Sequence, residues 1–64
     1  MANTPLFDGS GRRIGFTEDR ANGNIVAYNA QGKPLGYYDA SARYTFEWNG
    51  RRVGSGNQVG RLFR

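Results

Sequence analysis

Apolar and polar residues alternate along much of this chain with the two-residue period of half-buried strands. No stretch keeps the 3.6-residue period of a helix. In Arg43-Tyr44-Thr45-Phe46-Glu47-Trp48 the aromatic side chains fall on one face and the polar ones on the other. Ile25, Val26 and Tyr28 are the β-branched and aromatic residues that strands favour. Between these runs lie clusters of Gly, Asn, Asp and Ser, which punctuate strands as turns. The pattern predicts an all-β chain of short antiparallel strands.

The strands and turns recur. Placed beneath one another without gaps, residues 6–16, 27–37 and 45–55 read LFDGSGRRIGF, AYNAQGKPLGY and TFEWNGRRVGS. An aromatic recurs at Phe7, Tyr28 and Phe46, and an aliphatic residue at Ile14, Leu35 and Val53. Gly11, Gly32 and Gly50 are each followed by a cation (Arg12, Lys33, Arg51), and a second glycine recurs at Gly15, Gly36 and Gly54. Six of the ten glycines thus occupy two repeat positions, which identifies three copies of one unit.

Each unit reads as a β-hairpin. Asp8 and Asn29 stand where the first residue of a type I turn bonds its own turn backbone. Gly11, Gly32 and Gly50 then supply the left-handed residue that closes a three-residue loop. The third unit has Glu47 in place of the Asx residue, but gains Asn49-Gly50. Centred on these turns, Leu6 is expected opposite Ile14, Ala27 opposite Leu35 and Thr45 opposite Val53. The second glycine then faces Val26 or Tyr44 in the later units. Repeated strand glycines mark tight bends or close backbone approach, so the hairpins are expected around an axis. The connectors at 18–23 and 39–42 are turn-like, giving one meandering domain over residues 1–64. In the tail, 56–64, Val59, Leu62 and Phe63 fit one helical turn. Arg61 to Arg64 fit equally a last strand beside Leu6-Phe7, and the helix is preferred.

The repeated string, Asx-x-x-Gly-cation-x-aliphatic-Gly-aromatic, resembles the small bacterial beta-flower proteins, in particular the four-fold beta-flower family. It is carried by Phe7 to Phe16, Tyr28 to Tyr37 and Phe46 to Gly54. The resemblance implies a shallow barrel with an apolar middle and hairpins splayed as petals. By analogy with tubby-type lipid-binding barrels, it also implies a ligand in a central cup. Ser55 departs from the pattern where the other units carry Phe16 and Tyr37. With three complete units, the petals number three, or four if the termini complete another.

Composition narrows the chemistry. The chain has 64 residues, no cysteine and no histidine, so disulfides and the usual zinc ligands are excluded. A chain this short buries only about 60% of its unfolded surface, and stability is expected to draw on ideal hairpins, self-association or a partner. No targeting signal or membrane-spanning run is read, and a soluble cytoplasmic protein is expected. The net charge of +4 favours anionic partners.

An enzyme would need Asp8, Glu18, Asp19, Asp39 or Glu47 as its acid or base. All five read as solvated or turn-forming carboxylates, with Asp8–Arg12 and Glu47–Arg51 as cross-strand pairs. The segment Gly54 to Gly60 lacks both the Lys-Ser/Thr ending and the G-x-G-x-x-G spacing of phosphate loops. No catalytic residue, metal or cofactor is assigned. Two candidate sites are. Arg12, Arg13, Lys33, Arg51 and Arg52 follow turn glycines and would form a basic rim for anionic lipid or other phosphates. Ile14, Leu35 and Val53, with Phe7, Tyr28, Phe46 and Trp48, would line an apolar centre for a lipid-like or small apolar ligand. The alternatives are a self-associating interaction protein, using the tail at Leu62 and Phe63, and, behind it, a weak nucleic-acid binder.

Overall fold

The computed structural model describes residues 3–63. Six strands form one antiparallel sheet in chain order: β1 Asn3–Phe7, β2 Arg13–Asp19, β3 Ile25–Asn29, β4 Pro34–Asp39, β5 Tyr44–Glu47 and β6 Arg52–Ser55. The sheet is open, with β1 and β6 at its two edges. Among the described residues there is no α-helix. Ala21–Gly23 and Val59–Leu62 each form a short 3-10 turn, the second being the form the tail takes. The alternative, a strand beside Leu6-Phe7, is not formed by Arg61 to Phe63, and Arg64 lies outside the described residues.

The three hairpin turns are built alike. The amide of Gly11 donates to the Asp8 carbonyl at 3.0 Å, Gly32 to Asn29 at 2.9 Å and Gly50 to Glu47 at 2.8 Å. Their φ angles of 85°, 84° and 94° lie in the left-handed region, where other residues are strained. Asp8 Oδ1 also accepts from the amides of Ser10 and Arg12, and Asn29 Oδ1 from those of Gln31 and Lys33. In the third turn Asn49 takes over part of this task, its Oδ1 accepting from the Arg51 amide.

Beyond the turns the register differs from the simple expectation. Phe7 stands opposite Arg13, but Leu6 stands opposite Gly15, which leaves Ile14 as an extra residue. Leu35 and Val53 are extra in the same way, so Ala27 faces Gly36 and Thr45 faces Gly54. A β-bulge at the same point of every unit moves the pairing by one residue and sharpens the local bend. The second glycines therefore face Leu6, Ala27 and Thr45, not Val26 or Tyr44.

Cross-strand partners share a face, so the register sorts the side chains. Phe16 pairs with Tyr28, and Val26 with Tyr37, which in turn pairs with Phe46. The rings stack: Phe16 on Tyr28 at 4.9 Å and Tyr37 on Phe46 at 5.4 Å between centroids. Tyr44 and Trp48 add tilted and edge-on contacts, and Val26 is buried among them on this aromatic face. The opposite face holds Ala27 and Thr45, both fully buried, and the tail lies across β3 and β4.

One hydroxyl makes two of the bonds that hold the tail there. Thr45 Oγ1 donates to the Gly56 carbonyl and accepts from the Gln58 amide, both at 2.8 Å. A Cβ on Gly15 would collide with the Tyr28 carbonyl and the Phe63 ring, and one on Gly36 with the Phe46 carbonyl and Leu62. Phe63 and Leu62 thus each cap one strand crossing at the middle of the sheet.

Candidate functional site

An antiparallel meander puts alternate connections at opposite ends, so all three hairpin turns share one end of the sheet. Residues 7–13, 28–34 and 46–52 make up this turn end. They carry five cations against two carboxylates, a net charge of +3. The other end has Glu18, Asp19 and Asp39 against Arg20 and Arg43 and is slightly negative. There the two connectors are tied together, the Ala40 amide donating to Asn24 Oδ1 at 2.9 Å. Charge is thus polarised along the strands.

The rim cations are not equivalent. Arg12, Lys33 and Arg51 are exposed at the turns. Arg13 and Arg52 follow the bulged path back onto the aromatic face, with guanidinium carbons 5.6 Å from the Phe16 centroid and 5.5 Å from that of Tyr44. Such stacking on a half-exposed ring contributes about 0.5–1 kcal/mol and leaves the charge accessible. Among the described residues neither Asp8 with Arg12 nor Glu47 with Arg51 forms an ion pair; the pair that forms is Arg20 with Glu18, at 2.7 Å. Asp8 is engaged locally instead. The Ser10 hydroxyl, then the Arg12 amide, hold its carboxyl below the ordinary value. Arg20 is held above its own by the Tyr28 phenol and then by Glu18.

The large exposed apolar side chains, Phe7 at 57% and Trp48 at 56% exposure, both belong to the turn end. Trp48 also walls a groove of about 610 Å³ between the second and third hairpins. Pro34, Leu35, Val53 and Leu62 give the groove its apolar lining, and Lys33, Arg61, Glu47 and Asn49 line it as well. Its size is that of a small-molecule site.

The predicted apolar centre is therefore divided by the sheet. Leu35, Val53 and Trp48 meet in the groove, and Ile14 is half-buried at the equivalent point of the first hairpin. Tyr28 and Phe46 stand on the aromatic face, stacked on Phe16 and Tyr37, and Phe7 is exposed. Sequence reasoning did not place Leu62 and Arg61 in the groove. The tail's apolar residues were visible, but only the fold brings them to β4. No cluster of three or more acidic, His or Cys side chains able to hold a metal stands among the described residues, and no helix is long and apolar enough to cross a membrane.

Compared with known protein families, curated proteins and solved structures, the chain finds no match in any of the three.

Proposed function

We propose that this protein is a non-catalytic binding module, beta-flower-like in the splay of its hairpins, that docks its turn end on anionic lipid. One observation carries the reading: five cations and, among the described residues, both large exposed apolar side chains sit at the same end. Aromatic side chains settle at the interface between headgroups and acyl chains, and each cation near an anionic surface contributes about 1 kcal/mol. A net charge of +3 is thus worth roughly 3 kcal/mol before any apolar insertion. The groove beside Trp48 lies where an acyl chain or other apolar group would enter from such a surface.

Trp48 is the only tryptophan and reports directly on docking. Its fluorescence is expected to shift to the blue on vesicles rich in phosphatidylserine and to stay unchanged on phosphatidylcholine. Raising salt to about 0.5 M should reverse the shift, since the Debye length then falls well below 10 Å. The triple variant R12A/R51A/R52A should lose roughly a hundredfold in partitioning, three charges being worth roughly 3 kcal/mol. Equal binding by the triple variant, or no binding by the native chain at low salt, overturns the proposal.

A further inference from the structure

Gly15, Gly36 and Gly54 hold the same repeat position and differ in what passes them. At Gly15 and Gly36 the next hairpin's first strand crosses so closely that its carbonyl occupies the place of a Cβ. At Gly54 no strand crosses. A Cβ there would meet only the Gln58 and Arg61 side chains, at ordinary distances of 3.4 and 3.6 Å. Gly54 also lacks the left-handed φ that would otherwise call for glycine. Among the described residues no backbone packs on it; the Gln58 and Arg61 side chains lie there instead. It lies on β6, an edge strand.

We infer that the edge of β6 receives β1 of a second copy, in the register that already joins neighbouring hairpins twice within the chain. There Gly15 faces Asn29 and Phe16 faces Tyr28; Gly36 faces Glu47 and Tyr37 faces Phe46. The equivalent contact sets Gly54 opposite Asp8 of the second copy and Ser55 opposite its Phe7. β1 suits the role because Leu6-Phe7-Asp8 is the first-strand segment of a unit and is itself at an edge. Phe7 is 57% exposed, whereas its counterparts Tyr28 and Phe46 are half-buried against the preceding hairpin. Charge agrees: Asp8 would arrive beside a strand that begins at Arg52, with Arg51 in the turn just before it. The ladder is short, because Pro5 lacks an amide donor and Gly56 turns the chain away with a φ of 71°. Gln58 reaches the Ser55 carbonyl at 3.3 Å, a contact the incoming strand replaces. The contact is head-to-tail, so it propagates until it closes on itself.

The inference does not rest on lipid docking and is tested without lipid. The chain has no cysteine, so single cysteines report register cleanly. Directly opposed residues of antiparallel strands lie about 4.5–5.5 Å apart between Cα atoms, within reach of a disulfide. F7C and S55C proteins, mixed and mildly oxidised, are expected to give mainly the mixed disulfide dimer. T4C in place of F7C, out of register, should give little. G54A in the S55C chain is expected to abolish the mixed dimer while leaving the thermal midpoint unchanged, and light scattering of native protein should show mass rising with concentration. A constant monomer mass, statistical cross-linking, or cross-linking unaffected by G54A overturns the inference.

Discussion

Gly36 and Gly54 end the same repeated string, yet one is pressed by a neighbouring backbone and the other meets only two side chains at ordinary distances. At Gly36 the backbone of β5 presses in from the neighbouring hairpin and Leu62 from the tail, 2.9 Å from a would-be Cβ. At Gly54 only the edges of two polar side chains approach. The identity of a residue in a repeat therefore does not state its energetic role. That role is set by whether another unit follows, and the third hairpin is followed by a tail.

The largest expected effect breaks this comparison open. G36A forces a methyl group against backbone that has no rotamer to yield, at a cost of roughly 3 kcal/mol. For a domain of this size that is a fall of about 15 °C in Tm. The same exchange at Gly54 should leave the Tm of dilute protein within about 2 °C, because its methyl group meets only ordinary contacts. Paired thermal melts decide the matter, and equal losses would show that both glycines are needed for the isolated fold.

A second, smaller effect tests whether the tail or the strands seal the middle of the sheet. T45V keeps shape but removes the hydroxyl that holds Gly56 and Gln58, leaving a part-buried amide and carbonyl without that partner. The expected loss is about 2 kcal/mol in denaturant unfolding, with amide exchange quickening first at Gln58 and Val59. Exchange quickening first in β1 and β2 would mean that the tail is not the weaker cover.

The smallest effect sharpens the contrast between turns. Asp8 and Asp39 both have carboxyls held below their ordinary 3.8, each chiefly by a serine hydroxyl and then by backbone amides. A lowered folded pKa gives stability that is present above the unfolded value and lost as pH falls through the folded one. Tm should therefore decline on acidification below about pH 4. D8N keeps the acceptor oxygen and cannot titrate, so its Tm should match the native chain near neutrality and fall less steeply in acid. An unchanged slope would place the acid sensitivity at Asp39 and elsewhere.

The division between what was legible and what was not follows contact distance along the chain. The turns were legible because Asp8, Asn29 and the glycines after them make their bonds within four residues, and positive φ selects glycine whatever lies beyond. The bulges at Ile14, Leu35 and Val53 were not, since a bulge is chosen by the partner strand and the bend it must follow. The basic rim was visible as five residues but not as a polarised end, which needed the meander to bring three turns together. The groove was still less visible, for it joins Leu35 and Trp48 to Leu62 across the fold.

By itself, then, the chain's sequence determined three hairpins and their loop conformations, because each depends on neighbours a few residues away. The tertiary structure alone decided the shifted register, the placing of Phe63 and Leu62 over two of three equivalent glycines, and the open edge at the third. Those features arise from packing between segments distant in the chain, where backbone bend and steric exclusion outweigh any local preference.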